Sequence, residues 1–76
     1  MTDRTILIDI IPSDDGTFSV YAGMPGAREF FYATHDFDHD GAESVAAARS
    51  DYYAGRGFTV SVERLRMGAE PRKVQS

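Results

Sequence analysis

The densest run of potential chemistry in the chain is His35-Asp36-Phe37-Asp38-His39-Asp40. Imidazole and carboxylate together suit zinc, manganese or nickel. The run reads as a loop, however, so it offers no i, i+4 histidine pair on a helix, and it does not fit the spacing of an EF-hand loop. A solvated loop is the preferred reading, with no metal ligand and no cofactor. The chain has no cysteine, which excludes thiol catalysis, zinc–thiolate sites and disulfides. No serine stands in a nucleophile elbow, and no glycine-rich loop fits a phosphate. No catalytic residue is assigned, and the expectation is a protein that is not an enzyme.

The chain has 76 residues, of which 42% are hydrophobic and 26% charged. Those values suit one small folded domain. Twelve acids against eight bases give a formal net charge of −4. That balance argues against direct contact with nucleic-acid phosphate, which needs clustered Lys and Arg. An acidic surface suits a basic partner instead. The first residues, MTDRT, lack a signal pattern, and no apolar run approaches a membrane span. A cytoplasmic protein is expected, with no membrane contact.

The elements that must position these residues are built around Arg4–Ile11. Ile6, Ile8 and Ile10 point to one side, and Leu7, Asp9 and Ile11 to the other. A strand apolar on both sides belongs inside a sheet. Pro12-Ser13-Asp14-Asp15-Gly16 is a turn, and Thr17–Ala22 a second strand with Phe18, Val20 and Ala22 on one face. Gly23-Met24-Pro25-Gly26 is a second turn. Arg28–Thr34 reads as a third strand, with either Phe30 and Tyr32 or Phe31 and Ala33 toward the core. A helix follows from an Asp40 N-cap, with Glu43 completing a capping box, to about Ala54. Val45, Ala48 and Tyr52 mark its inner face, flanked by Ala46, Arg49 and Tyr53, and Gly55 is the expected C′ residue. Gly57–Leu65 is the fourth strand, with Phe58, Val60 and Val62 inward. Residues 1–66 form the domain, and residues 67–76 a flexible polar tail.

Short turns make the first three strands an antiparallel meander. The helix then crosses over, with the usual right hand, to a strand parallel to the first. The predicted fold is α+β: βββαβ, a four-stranded mixed sheet in order 3-2-1-4, with one helix on one face. Two surfaces follow. The first turn, the loop after the third strand and the helix start share one end, which gathers Asp14, Asp15, Asp36, Asp38, Asp40 and Glu43. Arg4, Arg28 and Arg56 collect at the other end. The uncovered sheet face carries Leu7, Ile11, Tyr21 and either Phe31 or Tyr32. Monomers rarely leave such a patch bare, so a partner or a homodimer is expected there rather than cover by the tail.

The element order is similar to a truncated ribonuclease H fold. That resemblance implies carboxylates on the first strand, helix and fourth strand, where Asp9, Glu43 and Glu63 stand. Asp9 and Glu63 share the open face by parity, whereas Glu43 starts a helix on the other face. A small metal-dependent nuclease is therefore the least favoured expectation.

Asp14-Asp15-Gly16-Thr17-Phe18-Ser19-Val20, then Met24-Pro25-Gly26, then Asp40-Gly41-Ala42-Glu43 opening an alanine-rich helix, resembles HicB antitoxins across Ile6 to Val62. The family's domain is a partial ribonuclease H fold, and its partner is a small RNase toxin. Gly23 replaces the aspartate common in the family's second turn. HicB proteins usually carry a DNA-binding segment after this domain, where a short tail follows Leu65 here. In size, charge and layout the chain also resembles small acidic phage anti-CRISPR proteins. Both resemblances imply an inhibitor that occupies the basic nucleic-acid-binding surface of another protein. The anti-CRISPR type, with a CRISPR effector as partner, leads, and the HicB-like antitoxin is the alternative.

Overall fold

The computed structural model describes residues 4–25 and 32–72, and of residue 36 the backbone alone. Strands β1 (Thr5–Pro12), β2 (Phe18–Gly23) and β3 (Tyr32–Phe37) precede helix α1 (His39–Gly55) and strand β4 (Thr59–Arg64). They form one four-stranded mixed sheet in the order β3-β2-β1-β4. β1 runs antiparallel to β2 and parallel to β4, so the expected α+β topology is the one found. No helix among the described residues is long and apolar enough to cross a membrane.

β1 lies inside because both of its faces exclude water. Ile6, Ile8 and Ile10 are buried beneath α1, and Asp9 and Ile11 are buried on the opposite side. Val20 and Ala22 extend the helix-side core across β2, and Phe18 packs at its margin. Each large apolar side chain buried there contributes about 1.5–3 kcal/mol. Phe58, Val60 and Val62 are only partly buried because β4 is an edge strand.

The helix meets the sheet on a different face from the one its sequence suggests. Ala42, Ala46 and Tyr53 are buried, Ala48 and Tyr52 are exposed, and Val45 packs at the margin. The small residues Ala42 and Ala46 bring the backbone close to the sheet, and that contact fixes the rotation. The C-terminal stop also moves. Gly55 is still helical, Arg56 is the C-cap, and Gly57 takes the left-handed conformation at φ 95°. A side chain would strain that position, as it would not at Gly55.

β3 runs on to Phe37, past the Thr34 end that the aromatic run suggests. Tyr32 pairs with Ala22 and packs on the helix-side core, so it is absent from the open face. Arg28, Phe30 and Phe31 lie outside the described residues. His35 to Phe37, expected in a loop, belong to the strand, and only Asp38 separates it from α1.

Candidate functional site

The first turn closes when Ser13 N–H donates to the Thr17 carbonyl at 2.8 Å and Gly16 N–H to the Ser13 carbonyl at 3.2 Å. Asp14 and Asp15 are exposed at its tip. Asp15 Oδ1 accepts from the Thr17 hydroxyl at 2.6 Å and from its amide at 3.0 Å. These bonds, the hydroxyl's foremost, hold the Asp15 carboxyl below its ordinary value.

Pairing of Phe18 with Phe37 sets the start of α1 beside this turn. The rings of Phe18 and His39 meet edge to face, with centroids 5.4 Å apart. Asp38, not Asp40, is the N-cap: its backbone is extended, and its Oδ1 accepts from Gly41 N–H at 2.7 Å. A Cβ on Gly41 would lie 2.9 Å from that oxygen, so the cap needs glycine there. Asp40 is exposed in the first turn, where an acid complements the helix dipole. The structure therefore brings Asp14, Asp15, Asp38 and Asp40 to one end. The Asp36 side chain lies outside the described atoms.

Glu43 joins that end but does not complete a capping box. It faces β4, where Arg64 Nε donates to Oε2 at 2.6 Å and Nη2 to Oε1 at 2.5 Å. These bonds hold Glu43 below its ordinary value and raise Arg64. Arg64 reaches the acidic end because β4 runs parallel to β1, with Ile10 paired to Arg64. Sequence reasoning missed this cation, although the predicted parallel crossover already required it. Arg4 and Arg56 lie at the opposite end as expected: Arg4 Nε donates to the Gly57 carbonyl at 3.4 Å, and Nη2 to that of Arg56 at 3.5 Å.

The two histidines of the candidate metal run separate. His35 is on the open face, 2.8 Å from Ser19 Oγ through Nδ1 and edge to face with Tyr21. His39 lies 3.6 Å from both Asp40 and Glu43. No group of three or more His, Cys, Asp or Glu among the described residues is placed to hold a metal ion.

The open face is partly covered, which corrects the expectation of a bare sheet. Leu7, Asp9, Ile11, Ser19 and Tyr21 are all buried or half-buried. Residues 65–72, most of them assigned to a flexible tail, cross over this face. Leu65 N–H donates to the Ile10 carbonyl at 2.8 Å. Met67, Gly68, Ala69 and Pro71 then line a cleft opposite Ile11, Ser19 and Tyr21. At its far end Arg72 bonds Asp9 through its Nε at 2.6 Å and its backbone N–H at 2.7 Å. Arg72 Nη1 reaches Glu63 at 2.9 Å. Asp9 and Glu63 are thus register neighbours, as parity implied, but one guanidinium bridges them and offsets one of their two charges. Glu43 sits apart with Arg64, so the three carboxylates do not converge.

Fold and site together define the class: a small α+β domain with an acidic end and a strapped sheet face. No family model, curated protein or solved structure matches the chain.

Proposed function

We propose that the protein is a non-enzymatic, cytoplasmic inhibitor that binds and masks a basic nucleic-acid-binding surface on a partner protein. The observation that carries this reading is the acidic end. Asp14, Asp15 and Asp40 are exposed there, drawn from two separate stretches of chain by the Phe18–Phe37 pairing. Asp15 is tied down by Thr17, which favours its charged form, and Asp40 lies 3.6 Å from a His39 ring nitrogen. Such a cluster attracts a basic groove, speeds encounter and orients the complex. Arg64 removes Glu43 from the contact set, so the charge that attracts is borne by the aspartates.

A CRISPR effector is the partner that the anti-CRISPR resemblance implies. A small RNase toxin is the partner that the HicB resemblance implies, and the βββαβ order favours keeping it as the second reading. The test is an equimolar addition of the chain to a purified CRISPR effector with guide RNA and, separately, to a purified small RNase toxin. Loss of nucleic-acid binding by one of them supports the reading and chooses the partner. Unchanged binding by both contradicts it. In the affected case, Asn at positions 14, 15 and 40 slows association at low salt and flattens its salt dependence.

A further inference from the structure

Asp9 is a carboxylate on an inner strand of the sheet, 2% exposed. Burying such a charge is costly without a cation and hydrogen bonds. Both come from Arg72, a residue 63 positions away that belongs to no strand or helix. Its guanidinium uses three nitrogens. Nε takes Asp9 Oδ1 at 2.6 Å, Nη1 takes Glu63 Oε1 at 2.9 Å, and Nη2 takes the Ser61 carbonyl at 3.4 Å. A planar fork satisfies all three acceptors at once, whereas a lysine ammonium is a point charge without that geometry. The acceptors are all on β1 and β4, so the socket is built by the sheet and only its occupant comes from the strap.

The strap is bonded to the sheet at its two ends, Leu65 and Arg72, and between them Arg66, Met67, Gly68 and Glu70 are exposed. Between Leu65 and Arg72 it arches over a cleft of about 500 Å³ lined by Ile11, Ser19, Tyr21 and Asp14. Met67 is more than half exposed, so it does not anchor the arch.

We infer that the Asp9–Glu63–Ser61 socket is an arginine-recognition site for the basic partner, filled in the free protein by Arg72 as a stand-in. An arginine on an extended basic segment of the partner displaces Arg72 and takes the same bonds, while the vacated strap opens the cleft beside Tyr21. The inference rests on the proposed basic partner and adds what that partner must present. It also explains why a buried acid faces a cation supplied by a strap outside the regular elements and not by the core.

The probes are nona-arginine and nona-lysine, titrated against the full chain and its Arg72→Ala variant at about 0.15 M salt, where exposed charges are screened beyond about 8 Å. A competitor that occupies a site lowers apparent affinity by the fraction of sites it leaves free. Arg72→Ala is therefore expected to bind nona-arginine roughly tenfold or more tightly than the parent. The gain should be absent for nona-lysine and should vanish when Asp9→Asn is added. Equal binding by parent and variant, or an equal gain for both peptides, overturns the socket. Should Arg72→Ala not fold, the parent chain decides: nona-arginine must shift the Arg72 Nε–H resonance. Shifts confined to Asp14 and Asp40 overturn the socket while leaving the acidic-end reading intact.

Discussion

On the helix side of β1, Ile6, Ile8 and Ile10 pack against Val20, Ala22, Ala42, Ala46 and Tyr53 without a charged group in the buried cluster. On the other side, Asp9 and Ile11 meet a strap of eight residues, 65–72, pinned at its end by one arginine. The first side is held by apolar burial, which is non-directional and spread over many contacts. The second depends on a few directed bonds that one substitution can remove. The lesson is a division of labour: one face of the same strand secures the fold, and the other is available for exchange.

The largest expected effect lies on the helix side. Ile8 is fully buried, so Ile8→Ala should cost about 2–5 kcal/mol in denaturant unfolding. A domain this small has only about 5–15 kcal/mol in total, so partial unfolding at room temperature is within that expectation. A cost below about 1 kcal/mol would mean that this core is not tightly packed.

Arg72→Ala should come next, at about 1–3 kcal/mol, because it leaves a buried acceptor without its partner. The comparison sharpens with Asp9→Asn and the double variant. Coupling between the two sites of at least about 0.5 kcal/mol is expected in a double-mutant cycle. Additive effects would mean that the ion pair contributes nothing beyond packing.

A smaller effect separates the two candidate caps. Asp38→Ala should cost about 1 kcal/mol. Asp40→Ala should stay within about 0.5 kcal/mol, since its side chain is exposed and caps nothing. Thermal unfolding of the pair checks the assignment, and the reverse order would restore Asp40 as the cap.

The smallest effect is a pH dependence. The folded state lowers the Glu43 carboxyl's pKa through Arg64, so its contribution to stability is present above the ordinary glutamate value. It is lost as pH falls through the lower folded value. Comparing unfolding midpoints of the parent and Arg64→Ala between neutral and acid pH should show a difference that shrinks at low pH. A difference that grows toward acid would reverse the sign and refute the linkage.

The topology was legible because two kinds of signal agreed. Arg4–Ile11 is apolar on both faces, and Asp-Gly and Pro-Gly mark the turns on either side of β2. The third strand was ended too early because Phe30, Phe31 and Tyr32 look like strand, whereas His35, Asp36 and Phe37 carry no such bias. The helix rotation was misread because Ala46-Ala47-Ala48 is uniform and Tyr52 and Tyr53 are adjacent aromatics. One residue of phase error turns a helix by about 100°. The acidic end could be read in part: the Asp-Gly turn announces itself locally, but the cap is Asp38, two residues before the Asp40 that the Glu43 spacing suggested. Arg72's place could not, because one arginine near the end of the chain carries no periodicity pointing to an aspartate 63 residues earlier. The buried Asp9 was the available hint: an acid amid isoleucines on an inner strand requires a cation from somewhere.

The division between a fixed face and an exchangeable one is tested most directly by native-state amide hydrogen exchange. The Arg72 amide, which donates to Asp9 Oδ2 at 2.7 Å, reports strap opening, while Ile8 and Val20 report global unfolding. The expected result is exchange of the Arg72 amide through a local opening well below the global free energy, insensitive to low denaturant and faster at high salt. Exchange of Arg72 only on global unfolding, in step with Ile8 and Val20, would contradict the account.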